Sequence, residues 1–149
     1  VLGTAAYLLG WGTGRAGNYG ELLEPKPLAL APLQGLRGKW VLLSADASAC
    51  APACERKLYF MRQVRRAQGK NMDRVERLWI ITDAGKPRPE LLAAFEGTHL
   101  GWVSDPPLVP EHIYLVDPLG NLMMRFPRDP DPSRMLKDLQ RLLKYSKIG

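Results

Sequence analysis

With 149 residues, 46% of them apolar and 24% charged, the chain has the composition of one folded domain with a single core. No stretch is biased enough for disorder or for a repeat architecture, and those classes are excluded. A net charge of +6 suits acidic partners: an acidic protein face, an anionic lipid surface or nucleic acid.

Residues 1–11, VLGTAAYLLGW, carry no charge and end in an aromatic side chain. A spanning helix needs about 20 apolar residues, so this run cannot cross a bilayer by itself. The glycine-rich polar stretch GTGRAGN follows it, and the pair reads as the end of a membrane anchor with Trp11 near the interface. A buried or frayed terminal segment is the alternative. Residues 1–17 are therefore expected to be an anchor remnant and its exit linker. The same stretch contains G-x-G-x-x-G at Gly12, Gly14 and Gly17. A dinucleotide fingerprint needs a helix to start inside that loop, to place its N-terminus on the pyrophosphate. Pro25, Pro27 and Pro32 break any such helix, and residues 18–35 are expected to be an extended tether lying on the domain.

From residue 36 the pattern is regular, and residues 36–149 form the expected domain. GKWVLLSA (38–45) is a short apolar run after a turn, the signature of a buried strand. In residues 54–70, Leu58, Met61 and Val64 make one helical stripe that Gly69 closes. RLWIITDA (77–84) is a second buried strand, and Pro89 begins a short helix ended by Gly97. HLGWVSD is a weaker third strand. HIYLVDPLGNLMMRF reads as a hairpin turning at residues 117–121. A last helix spans residues 132–145, with Asp131 as its cap and Met135, Leu136, Leu139, Leu142 and Leu143 on its apolar face. The order β-α-β-α-β-β-β-α predicts an α/β fold of the thioredoxin-like kind, a central mixed sheet flanked by helices, with ligands gathering at strand ends.

Cys50 and Cys54 fall between the first strand and the first long helix. A thiol there feels the positive end of the helix dipole and unpaired backbone N–H groups, which stabilise thiolate. Thiolate is both the nucleophile of disulfide exchange and a preferred ligand of Cu(I). One helical turn separates the two side chains, so the sulfurs can pair or hold a metal jointly. A closed zinc site takes four ligands, and no further cysteine exists. Two buried thiols without chemistry are the bland alternative.

The stretch GKWVLLSADASACAPACERK resembles the Sco/SenC family of thioredoxin-fold proteins, in its Gly-Lys-Trp strand start and in the ten-residue step from Trp40 to Cys50. The following helix, the ITDAG strand end and the YLVDPLGNL hairpin fall where that family has equivalents. Over its whole length the chain is also similar to proteobacterial single-pass membrane proteins associated with cytochrome c oxidase assembly, through NYGELLEP, RKLYFMRQVRRAQGK, HIYLVDPLGNLMMRFP and LKDLQRLLKYSKIG. The resemblance implies a membrane-anchored domain on the periplasmic face. It implies Cu(I) bound by Cys50, Cys54 and a distant histidine, and as partner a cytochrome c oxidase subunit or another assembly factor.

In the Sco pattern that histidine stands nine residues before the proline of the hairpin's Pro-x-Gly turn. Counted from Pro118, the position holds Val109, and His112 lies three residues later. In an extended segment three residues displace a side chain by roughly 10 Å and turn it to the other face, so His112 reaches the cysteines only if DPPLVPE loops. His99 belongs to no motif. Met123 and Met124 are adjacent on a strand, face opposite ways, and fit a core better than a metal site.

Other chemistries fit less well. A peroxidatic thiol resembles Thr-x-x-Cys, and Ala47 occupies the threonine position. A cysteine hydrolase needs a histidine base that neither His99 nor His112 clearly supplies. A thioredoxin-type reductase needs C-x-x-C and a facing cis-proline; the spacing here is one longer, with Pro110 near the proline's place. Thiol–disulfide exchange nevertheless stays open as the alternative to copper binding. The basic residues Arg56, Lys57, Arg62, Arg65, Arg66 and Lys70 crowd the first long helix. They are expected to be a solvated face, or else a docking surface for an acidic partner or anionic headgroups. No recognition helix or stacking platform accompanies them, which argues against nucleic acid.

Overall fold

A computed structural model of the chain describes residues 19–146. The readings of the anchor, the exit linker and the glycine motif rest on residues 1–18 and lie outside the described residues. The elements in order are β1 (Glu21–Pro27), α1 (Ala31–Gln34), β2 (Trp40–Asp46), α2 (Pro52–Arg66), a 3₁₀ turn (Gly69–Arg74), β3 (Val75–Ile81), α3 (Pro89–Ala94), β4 (His99–Trp102), β5 (Tyr114–Val116), β6 (Asn121–Arg125) and α4 (Pro132–Tyr145). They form one mixed sheet of order β1-β6-β5-β2-β3-β4. The neighbours β2, β3 and β4 run parallel, while β5 and β6 form an antiparallel hairpin that pairs with β2 on one side and β1 on the other. This is the α/β, thioredoxin-like architecture the alternation predicts.

Period-two patterning sorts β2 into two cores. Trp40 and Leu42 pack on one face with Met61 and Val64 of α2 and Met135, Leu139, Leu142 and Leu143 of α4. Val41, Leu43 and Ala45 face the other way, onto Leu30, Leu33, Leu108 and Leu122. Met123 and Met124 fill space as expected, but both are buried in the first core instead of facing opposite ways, because the β5–β6 register shifts at Met123. Asp131 caps α4 by accepting from Ser133 N at 2.9 Å.

The tether departs from expectation. It is extended, but residues 21–27 are hydrogen-bonded into the sheet as an edge strand, and a short helix follows. Pro25 and Pro27 obscure the strand in the sequence. An edge strand tolerates proline because one side needs no ladder bond, and the register shift between Leu22 and Lys26 brackets Pro25. The chain enters β1 through Tyr19 and Gly20, whose backbone N–H groups donate to the buried Asp138 carboxylate of α4 at 3.0 and 2.7 Å.

Candidate functional site

β2 ends at Asp46, and residues 47–51 lead into α2. Pro52 occupies the first turn of α2, where its missing N–H costs nothing, and the N-cap Ala51 supplies no side-chain hydrogen bond. The first-turn N–H groups therefore keep their partial positive charge for a sulfur ligand. Cys50 and Cys54 are joined in a disulfide, with Cα atoms 5.0 Å apart. Both are buried, at 3% and 2% exposure, among Leu58, Trp79, Ile81 and Leu91. Cys50 has φ of +46°, a left-handed conformation uncommon outside glycine, asparagine and aspartate, and strained residues of this kind cluster at functional sites.

Ties from three elements hold the cysteine loop. The Asp83 carboxylate, just past β3, accepts from Ser48 N at 3.2 Å and from Gly85 N at 3.1 Å. The Ser48 hydroxyl bonded to it is the main influence holding Asp83 below its ordinary value. The packing is close: a Cβ on Gly85 would lie 2.3 Å from Ser48 Oγ. Arg88, at the start of α3, donates to the carbonyl of Ala49 and pairs with Glu55 of α2 at 3.3 Å.

The third tie is an ion pair. Lys57 Nζ of α2 lies 2.7 Å from Asp46 Oδ2, with side-chain exposures of 8% and 16%, and also donates to the carbonyl of Pro110. Burial pushes the Asp46 carboxyl above its ordinary value, and Lys57 opposes that rise. Beside this pair is a cleft of about 180 Å³, lined by Ala53, Arg56, Phe60, Glu111, Ile113 and Asp129 among others.

The two histidines have their own contacts. His112 Nδ1 is 2.6 Å from the carbonyl of Phe126, and its ring meets Tyr114 edge-on. Among the described residues, no three of His, Cys, Asp and Glu are gathered as a metal site. The structure brings Cys50 and Cys54 together and holds the His112 ring on the Phe126 carbonyl. His99 pairs with Glu76 at 3.1 Å, on β4. Val109, in the register position of the Sco histidine, is exposed and donates its N–H to Tyr114 Oη at 2.9 Å. No peptide among the described residues is cis, so Pro110 is trans.

The basic helix is not a uniformly solvated face. Lys57 is buried, and two of the arginines are spent on backbone carbonyls: Arg62 on Ala94 O at 2.7 Å and Arg65 on Val75 O at 2.6 Å. Arg62 also lies over the rings of Tyr59 and Phe95. Arg56 pairs with Asp129 at 2.9 Å on the exposed side.

The residues sequence reasoning missed are Asp46, Asp83, Arg88 and Lys57 in its buried role. The one available signal was position, since Asp46 and Asp83 each sit at the end of a predicted buried strand, where sites gather in an α/β sheet.

No curated protein matches the chain. Solved structures that share its fold include apo Sco1 from Thermus thermophilus, at 21% identity and a TM-score of 0.61, covering 87% of this chain and 99% of that one. A copper-bound ScoI from Bradyrhizobium japonicum aligns at 24% identity and a TM-score of 0.55, covering 72% and 87%. Copper-bound yeast Sco1 aligns at 16% identity and a TM-score of 0.61, covering 86% and 90%. A family profile described as transmembrane-like, thioredoxin-like, C-terminal domain matches residues 40–146, from the first residue of β2 to the residue after α4. The chain belongs to the transmembrane-like, thioredoxin-like C-terminal domain family.

Proposed function

We propose that the chain is a membrane-tethered periplasmic protein of the Sco type, whose Cys50–Cys54 couple serves assembly of the copper centre of cytochrome c oxidase by thiol–disulfide exchange. The observation that carries the chemistry is the disulfide set against the uncapped first turn of α2. In the reduced protein one thiolate attacks a partner's disulfide, expelling a partner thiolate and forming a mixed disulfide. The second thiolate of the pair then attacks the mixed disulfide. The partner leaves with two thiols and Cys50–Cys54 is oxidised, so a dithiol donor must reset it. The helix N-terminus favours the thiolate at each step.

The copper-bound Sco structures support a second reading, in which the reduced pair holds Cu(I). Two thiolates one turn apart fit the softness of Cu(I). His112 is the candidate third donor: with its Nδ1–H donated to the Phe126 carbonyl, Nε2 keeps its lone pair for a metal.

Reduced protein titrated with Cu(I) against a competing chelator, alongside Cys50→Ala, Cys54→Ala and His112→Ala, tests both readings. Copper held no more tightly than by the cysteine-free control removes the second. A reduction potential below about −300 mV with slow exchange marks a structural bond and removes the first.

A further inference from the structure

The sheet register fixes which end of the domain the N-terminal segment leaves from. One row across the sheet runs Glu21, Arg125, Tyr114, Leu43, Leu78, His99. From that row Tyr19 lies two residues beyond Glu21, and Asp46 lies three beyond Leu43, on the same side. At about 3.3 Å per residue the two stand at similar heights. Phe126 and Ile113, bonded N to O at 2.9 Å, continue the same end. The opposite end carries Pro27, Gly38 and the 117–120 turn, tied by Leu28 N to Gly120 O and Gly38 N to Pro118 O. Three strand spacings of roughly 4.8 Å separate β1 from β2 laterally. The chain therefore enters on the disulfide's end of the sheet, about 15 Å to one side.

This entry point is built in. Besides the two N–H bonds to Asp138, Tyr19 Oη accepts from Asp131 N at 2.9 Å, and Arg134 lies over its ring. A Cβ on Gly20 would stand 2.6 Å from Met124 Sδ, so a side chain there would force Met124 to shift.

We infer that the disulfide faces the membrane from which the tether comes, and that its partner presents cysteines close to the bilayer surface. The inference rests on the anchor reading of residues 1–11. Seven residues separate that run from the strap, a reach of at most about 25 Å. With the strap held, the tether joins the domain at its Tyr19 end, the end that carries the disulfide. The far end of β2 is then more distant by the strand's length, roughly 23 Å.

The chain carried behind a complete membrane-spanning helix, in liposomes with headgroup acceptor dyes, tests this, with a donor dye on a non-canonical residue at Ala53, beside Cys54, or at Arg37, at the opposite end; both are exposed. Stronger transfer from position 53 is expected, and equal or stronger transfer from 37 overturns the inference. A second measurement needs no membrane: spin labels at 18 and 53 should lie closer together than labels at 18 and 37, and Asp138→Ala should broaden both distributions. If transfer from 37 is the stronger while 18–53 is the shorter distance, the anchor reading falls and the entry geometry stands. If 18–37 is the shorter, the inference is overturned whatever the membrane does.

Discussion

Replacing Lys57 by methionine removes the charge that faces Asp46 while keeping most of the side-chain volume. Asp46 is then a mostly buried carboxylate without its counter-ion, and the carbonyl of Pro110 loses a donor. Breaking one side of a buried pair costs about 3–5 kcal/mol, a large share of the 5–15 kcal/mol typical of a domain. With a urea slope of about 1–3 kcal/mol per molar, the unfolding midpoint of the oxidised protein should fall by roughly 2 M.

The pH dependence separates this cause from lost packing. Burial, the largest influence, already holds the Asp46 carboxyl above its ordinary value, and Glu111 adds to the rise. A carboxyl whose folded value exceeds its unfolded one costs stability when ionised, and the cost disappears as pH falls through the folded value towards the unfolded one. Without Lys57 the main opposing influence is gone, so Asp46 should take up its proton at still higher pH. The Lys57→Met deficit should be greatest near neutral pH and shrink steadily on acidification. In the double variant Asp46→Asn, Lys57→Met most of the loss should be recovered at pH 7. A single-variant deficit below about 1 kcal/mol, or one that stays constant with pH, would refute an uncompensated buried charge as the cause.

Gly101→Ala should cost about 1–3 kcal/mol in urea unfolding, because its Cβ would stand 2.3 Å from Pro32 Cγ, part of a ring that cannot rotate away. Gly35→Ala, with nothing within 4 Å, is the control and should be near neutral. Arg77 is desolvated, sits in the field of Arg65, Arg66 and Arg62, and titrates at about 10. Its Nη2 donates to Glu96 O, whereas Nε and Nη1 have no partner among the described residues, so Arg77→Met should be neutral or stabilising by about 1 kcal/mol, more so at low salt. Opening the disulfide frees a loop of only four residues' separation, worth about 2 kcal/mol in chain entropy, so the reduced protein should keep its fold and lose no more than that in a urea titration.

The parts of the fold that were legible are those where burial writes itself into the chain. β2, β3 and α4 are continuous or strictly periodic apolar runs, and α4 was placed to the residue because Asp131, Pro132 and Tyr145 bracket it. β1 was not legible as a strand, since its half-exposed pattern with two prolines is what an edge and a loop have in common. The cysteines could be placed at a helix start from spacing alone. Lys57 could not be separated from its basic neighbours, because its burial depends on Asp46 lying across the site, and no local pattern encodes a contact between a strand end and a helix. His112 posed the same problem in reverse. Its register was countable, but which carbonyl its ring would meet depended on the path of residues 104–112.

These ties bear on which chemistry the pair can support. The cysteine loop is fixed through Ser48 by Asp83, through Ala49 by Arg88, and at its base by the Asp46–Lys57 pair, and none of these contacts passes through the sulfur–sulfur bond. Reduction therefore removes one link and leaves the others standing, so the two sulfurs stay close to where they were. A dithiol held this way loses little conformational freedom when it re-forms a bond or takes up a soft cation, because the ordering cost is already met by folding. A disulfide whose purpose was to hold the loop in place would show the opposite arrangement, with few other contacts fixing it. The three independent ties instead make the bond dispensable to the fold, which is what a couple that must open and close requires.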